Sequence, residues 1–367
     1  MPEHQLTMLW HEAGNSHYHD RFVELSKVAN LTVMGPKTFQ GTTFDPEKFR
    51  FPVKLFNSVL SSHWLTFIPS TIAFYREARR ADILYVHEEP HSLVAFLSAT
   101  LRLGRPMYIE SSAINLKGNL SGWNVLERFV YKTATKIIPK NHEVADVLHR
   151  RGAPRSKIST PIGNGVSKSS FSIVDKSAAR SALAQKYPQV SDAFKKGGLV
   201  LGYAGRIWQP KGIEILAQLA QELPVTILAC GPVADDYLVD TLVAAGVTVL
   251  PSLQKDDLRT FYSALDLFIL PSLSTKNWRE QFGRVCIEAI YCGTPAVGSH
   301  VGVIPMVIGA SQTFEAGNIE QAKALLTKLS DEAERAEILR WQTAHVDENF
   351  SWKAIAEQVL AVTHLKR

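Results

Sequence analysis

The stretch LVLGYAGRIWQPKGIEILAQLAQE, residues 199–222, decides how the chain is read. Leu199–Tyr203 is an unbroken apolar run, as expected of a strand buried on both faces. A glycine-containing loop with two cations, Arg206 and Lys211, follows it. Ile213–Glu222 then repeats apolar residues at helical spacing. A strand that ends in such a loop and feeds a helix is the building unit of a parallel α/β sheet.

The alternation continues downstream. Strands are predicted at Val225–Cys230, Val247–Leu250, Leu267–Leu270 and Ala296–Gly298. Helices are predicted at Tyr237–Ala245, Asp256–Ala264, Arg284–Tyr291, Gln321–Asp331 and Trp352–Leu365. Pro271 stops one strand, and Gly293 with Pro295 ends one helix. Upstream, strands are predicted at Thr7–Trp10, Leu31–Met34, Ile83–Val86, Met107–Ile109 and Lys136–Pro139. Helices are predicted there at His19–Ala29, Ser92–Leu103, Trp123–Lys132 and Asn141–Arg150. Residues 160–198 break the pattern, with a Gly-Asn-Gly at 163–165 and a surface helix at Lys176–Gln185. The chain therefore reads as two doubly wound domains, residues 1–165 and 166–348. Residues 349–367 form a last helix returning to the first domain. Such sheets take ligands at the carboxyl ends of their strands, here in the cleft between the domains.

Composition narrows the function. The length of 367 residues suits two cores, and 46% hydrophobic with 20% charged residues is ordinary for a globular protein. No apolar run reaches the ~18 residues of a membrane span. The N-terminus lacks a basic leader followed by an apolar core, so the expected location is cytoplasmic. Cys230, Cys286 and Cys292 form no C-x-x-C and read as buried hydrophobes. The net charge of +5 is uneven: residues 1–165 hold 20 Lys and Arg against 14 Asp and Glu, and the rest hold 20 against 21. A basic first half suits an anionic acceptor or the anionic inner face of a membrane, touched peripherally. Phe49–Phe74, aromatic and basic, reads either as an interfacial surface or as a loop and helix packed on the first sheet. Nothing resembles a nucleic-acid-binding module. No P-loop is present, and Gly202-x-x-Gly205 is not a dinucleotide fingerprint.

The residues that carry chemistry lie in the second half. Glu280-Gln-Phe282-Gly283-Arg284-Val285-Cys-Ile-Glu288 places two glutamates around the start of a helix. Gly283 lets a ligand approach the backbone, and the amides of Arg284 and Val285 make a diphosphate site. Glu288 can accept hydrogen bonds from a diol such as a ribose, and Glu280 from sugar hydroxyls. Arg206 offers a planar fork and Lys211 a point charge, a pair suited to a diphosphate leaving group.

Taken in order, Arg206, Lys211, Glu280, Phe282-Gly283, Glu288 and Gly293-Thr-Pro295 closely resemble glycosyltransferase family 4. The resemblance covers residues 199–310, including Gly302 and Pro305. It extends more faintly to Pro161–Val166 and to the strand of Asp82–Pro90. It implies the GT-B fold and retaining transfer from a nucleotide sugar, such as a UDP- or GDP-sugar, with no metal and no cofactor. It assigns Arg206 and Lys211 to the departing diphosphate, Glu288 to the ribose and Glu280 to the donor sugar. The base would lie near Gly231 and the Ser252-Leu253 loop, largely against backbone, and Gly205 is a further substrate-binding candidate. The acceptor would be a glycan or a lipid-linked group.

Three stretches depart from the family pattern. The first loop has Gly14-Asn15 where paired glycines are usual near the diphosphate. The crossover has Ser167 in place of an aspartate. Glu110-Ser111-Ser112 stands where many members carry a histidine. On the acceptor side His87, Glu88 and Glu110 are the candidate contacts. His11, His17 and His19 cluster at the first loop, and His87 and His91 flank Glu88-Glu89, but no metal site is expected. A nucleotide-sugar epimerase, a glycan phosphorylase and a non-catalytic nucleotide-sugar-binding partner are the alternatives on this architecture.

Overall fold

The computed structural model describes residues 5–15, 18–62, 66–69, 72–112, 123–275 and 278–364. It divides into two compact units, residues 1–165 with 352–367, and residues 166–351.

In chain order, the first unit contains β1 (Gln5–Trp10), α1 (His19–Ser26), β2 (Asn30–Pro36), β3 (Thr38–Phe39), β4 (Thr42–Thr43), β5 (Val53–Phe56), β6 (Ser58–Ser62) and β7 (Thr66–Pro69). It continues with α2 (Ile72–Arg80), β8 (Ile83–His87), α3 (Leu93–Leu101), β9 (Met107–Ser111), α4 (Trp123–Thr133), β10 (Lys136–Pro139) and α5 (His142–Arg150). Its main sheet is parallel, in the order β10-β9-β8-β1-β2-β5. Alternation along the strands covers both faces. Leu6, Met8 and Trp10 of β1 join one core, while Leu9 joins the other. Tyr85 and Tyr108 share the first core, and Leu84, Val86, Met107 and Ile109 the second.

The second unit holds α6 (Lys176–Lys186), α7 (Gln189–Lys195), β11 (Leu199–Ala204), α8 (Ile213–Glu222), β12 (Val225–Cys230), α9 (Asp236–Ala244), β13 (Thr248–Leu250), α10 (Lys255–Ala264) and β14 (Leu267–Leu270). Then come α11 (Arg284–Tyr291), β15 (Ala296–Ser299), α12 (Ile304–Ile308), β16 (Thr313–Phe314), α13 (Ile319–Lys328) and α14 (Glu332–Phe350). Its sheet is also parallel, in the order β13-β12-β11-β14-β15-β16. Both sheets are doubly wound, and the strand order reverses between β1 and β8 and between β11 and β14. All three cysteines are buried and free.

The last helix, α15 (Trp352–Thr363), belongs to the first unit. Trp352, Ile355 and Val359 share a core with Leu6, Met8 and Phe22. The Tyr108 hydroxyl donates to the Thr363 carbonyl at 3.2 Å.

The structure corrects several element boundaries. Phe49–Phe74 contains β5, which pairs with β2 as the edge strand of the main sheet, followed by an antiparallel pair and the start of α2. Its aromatics pack inward: Phe51 lies 6.0 Å from Phe22, and Phe56 meets Phe74 edge-to-face at 5.3 Å. Trp64 and the side chain of Phe67 lie outside the described part. Asp331, read as the end of a helix, instead caps the next one by accepting from the Ala333 amide at 2.7 Å. That helix, α14, has a narrow buried stripe of Ile338, Gln342, Val346 and Phe350. A polar residue in mid-stripe weakens the periodicity that reveals helices.

Candidate functional site

The site is built on the second unit, at the carboxyl ends of β11 and β14. This is the switch point where doubly wound sheets take ligands. The loop leaving β11 carries Arg206, Trp208 and Lys211, and its path is fixed by backbone. Ile207 donates to Pro232 at 2.9 Å and accepts from Ala234 at 3.0 Å. Leu273, in the loop leaving β14, donates to the Pro210 carbonyl at 2.8 Å. Gly212 begins α8 in the left-handed region, with φ of 70°. A Cβ there would stand 1.9 Å from the Pro271 carbonyl oxygen, so only glycine lets the two loops come this close.

These contacts bring Lys211 to Glu280. The ammonium lies 2.6 Å from the carboxylate, which also accepts from the buried Ser272 hydroxyl at 2.9 Å. The Gly283 amide approaches the other Glu280 oxygen at 3.4 Å. Ser272 is itself held by Ser299, whose hydroxyl donates to the Ser272 carbonyl. Arg206 is exposed and has no carboxylate partner among the described residues. Its guanidinium lies 5.7 Å from the Trp208 ring centroid.

Gly283, with φ of 58°, precedes α11 without a side-chain cap. Helix geometry leaves the amides of Arg284 and Val285 with no intrahelical acceptor, a standing attraction for an anion. One turn further, Glu288 is 4% exposed. It accepts from the Tyr262 hydroxyl at 3.0 Å and pairs with Arg284 at 3.2 Å. Burial raises its carboxyl above the usual range, against the pull of Arg284 and Tyr262. Phe282 is buried and packs edge-to-face on Phe350 at 5.8 Å. Gly231, after β12, lies against the Gly205 carbonyl, and a Cβ there would meet that oxygen at 2.0 Å. Leu253 is buried beyond β13, with Ser252 exposed beside it.

The first unit gathers other candidates at its own switch point, between β1 and β8. His11 and Glu88 are paired at 2.9 Å, and the His11 amide donates to the same carboxylate at 2.6 Å. His87 stacks on Trp10 at 4.1 Å. Its Nδ1 lies 2.9 Å from an Arg21 nitrogen. Arginine can only donate, so Nδ1 accepts and Nε2 carries the proton. Burial holds this imidazole well below its usual pKa. Glu110, opposite His87 in register, is completely buried. Its oxygens are taken by Arg21, by Lys140 and by the Tyr85 hydroxyl at 2.7 Å. Burial raises its pKa, but Arg21 and its other cationic neighbours outweigh that and hold it well below the carboxylate range. Glu110 is thus closed off from solvent, with its oxygens engaged by Arg21, Lys140 and Tyr85.

Gly14 has a local reason for being glycine, since a Cβ would meet the Phe44 ring at 2.2 Å. Asn15 sits in the turn after β1, donating to the Glu12 carbonyl at 2.9 Å. His19 bonds the Ala13 carbonyl and accepts from the Arg50 amide, while His17 lies outside the described part.

Sequence reading missed Ser272, Tyr262, Trp208, Trp278, Arg21 and Lys140. Ser272 and Tyr262 act on the two glutamates from elsewhere in the chain, which no local pattern announces. Arg21 sits in an amphipathic helix where a cation looks like a solvated one. Trp208, standing between Arg206 and Lys211, was the one signal open to a closer reading.

A family model described as Glycosyl transferases group 1 matches residues 188–346. A D-inositol 3-phosphate glycosyltransferase of Mycobacteroides abscessus is 30% identical over 272 residues, covering 70% of this chain and 54% of that protein. The chain thus spans about half the length of the curated relatives it matches. Among solved structures, an Anabaena protein in complex with UDP and glucose superposes with a TM-score of 0.71 at 20% identity. It covers 99% of this chain and 100% of its own. Sucrose-phosphate synthase from Thermosynechococcus elongatus gives 0.68 at 16% identity, over 99% and 98%. The chain therefore has the GT-B fold, and its residues 188–346 match the glycosyl transferases group 1 model.

Proposed function

We propose that the protein is a retaining glycosyltransferase that moves a sugar from a nucleoside diphosphate sugar onto a glycan or lipid-linked acceptor, without a metal ion. One observation carries this reading. Arg206, Lys211, Glu280 and the free amides of α11 converge on the carboxyl ends of β11 and β14.

Arg206, Lys211 and the helix tip neutralise the charge that develops on the departing diphosphate. Glu280, steadied by Lys211 and Ser272, holds sugar hydroxyls, and Glu288 holds the ribose. The base rests by Gly231 and Leu253. The acceptor hydroxyl attacks the anomeric carbon on the face the diphosphate leaves, and a leaving phosphate oxygen takes its proton. The protein's contribution is positioning and charge stabilisation. The first unit, residues 1–165 with the last helix, takes the acceptor, with His87 and Glu88 nearest to it. Its basic excess suits an anionic acceptor or peripheral contact with the cytoplasmic face of a membrane. Among the described residues no helix is long and apolar enough to cross a membrane.

The curated relatives act on an inositol phosphate by name, and the Anabaena protein binds UDP and glucose. The Anabaena complex favours a uridine nucleotide donor here. The test is a thermal-shift panel of UDP, GDP and their sugars, followed by incubation with a labelled nucleotide sugar. Free nucleotide plus a glycosylated product supports transfer. An altered nucleotide sugar with no acceptor product would make the protein an epimerase. Binding without any turnover or slow donor hydrolysis would make it a non-catalytic partner.

A further inference from the structure

We propose that Trp208 and Trp278 form an aromatic wall for the sugar ring of the donor and thereby select which sugars are accepted. The inference rests on the donor-site reading above and assigns two residues that reading does not use.

The two rings come from different loops, one after β11 and one after β14, and meet edge-to-face at 5.4 Å and 77°. Both are half-buried. Lys211 Nζ lies 4.8 Å from the Trp278 centroid, and Arg206 lies over Trp208. The rings therefore border the two cations that would hold the diphosphate. Trp278 is two residues from Glu280, the carboxylate assigned to sugar hydroxyls.

Sheet order places them on the sugar side. Gly231 and Leu253 follow β12 and β13, on one flank of β11, and the Trp278 loop follows β14 on the other. Neighbouring strands are about 4.8 Å apart, so β13 and β14, three places apart, are separated by roughly 14 Å. A base held at one end leaves the aromatic pair to the other end of the ligand.

The chemistry fits a pyranose. Its C–H face packs on an aromatic ring, while an indole N–H can donate to a hydroxyl. Neither indole N–H has a partner among the described residues. The backbone does not need these side chains. The Lys211 amide donates to the Trp208 carbonyl at 2.8 Å, and Thr275 and Trp278 exchange backbone and hydroxyl hydrogen bonds at 2.9 and 3.0 Å.

The experiment is calorimetric titration of the wild type, Trp208→Ala, Trp278→Ala and Trp278→Phe. The probes are UDP, GDP and their glucose, galactose, N-acetylglucosamine and mannose conjugates. Melting curves check folding. The expected result is that the affinity gained by adding the preferred sugar falls roughly five- to tenfold in the alanine variants. Affinity for the bare nucleotide should change less than about twofold, and Trp278→Phe should recover part of the gain. Equal losses for nucleotide and conjugate would show that the rings only shield Lys211 and Arg206, overturning the proposal. An unchanged sugar increment would overturn it as well. No nucleotide binding by the wild type would instead defeat the donor-site reading, and this inference with it.

Discussion

Lys211 and Glu280, 69 residues apart, form a 2.6 Å ion pair that joins the loops leaving β11 and β14. The pair sits where a diphosphate and a sugar would meet. Lys211→Ala should lower kcat by about 100- to 1000-fold, as removal of one charge-stabilising donor does elsewhere. The donor KM should change less than about threefold. Steady-state kinetics with the donor found by the panel decide this, and a loss confined to KM would reassign Lys211 to ground-state binding.

Glu288 combines the proposed ribose contact with a folding cost. Its raised pKa means that the folded state holds the proton more tightly than the unfolded chain does. Its contribution to stability is thus complete below pH 4.5 and lost as pH rises through the folded value. Above the folded value the buried charge is a burden that Glu288→Gln removes. The variant should melt roughly 2 °C higher without ligand, yet bind the nucleotide about tenfold more weakly. Undiminished nucleotide affinity would remove the ribose assignment.

Lys140 gives a pH signature in the first unit. It is 4% exposed, bonded to Glu110 and to Asn164 at 2.7 Å. Burial lowers its ammonium from 10.5 to about 8, against the upward pull of Glu110. Between those values the unfolded chain binds the extra proton, so stability rises with pH across this window. The contribution is full above pH 10.5 and lost as pH falls through about 8. Relative to Lys140→Met, the wild type should therefore gain in Tm between pH 8 and 10. A constant difference between the two melting curves would show that the lysine is not perturbed.

Gln342 of α14 works as a strand in miniature. It accepts from the Ala296 amide at 2.9 Å and donates to the carbonyls of Ala296 and Ile308 at 2.7 and 3.0 Å. It is fully buried. Gln342→Ala should destabilise the second unit by about 2–4 kcal/mol, seen as a Tm drop of roughly 5–10 °C. Nucleotide affinity measured well below the transition should not move. A drop under about 1 °C would mean that water replaces the amide at no cost.

Much of the second unit was readable because its strands are continuous apolar runs, two of them closed by Gly231 and Pro271, and Gly293 ends a helix. Leu267–Leu270, Val225–Cys230 and Arg284–Tyr291 stand in the structure where the pattern puts them. The edge strand β5 was not readable, because Val53-Lys-Leu-Phe56 is short and none of its four residues is fully buried. The burial of Glu110 was not readable for a different reason. A glutamate at a strand end looks like a site residue until the cations around it, Arg21 from α1 and Lys140 after β10, are brought into place.

By itself, the amino-acid sequence determined the alternation of the central strands and helices and the loops or helix that bear Arg206, Lys211, Glu280 and Glu288. Hydrophobic period and glycine or proline punctuation are local, and they act within a few residues. Only the tertiary structure decided which of these groups touch. It paired Lys211 with Glu280, turned Glu110 inward and set Trp208 against Trp278, because the parallel sheets place distant loops side by side at one edge.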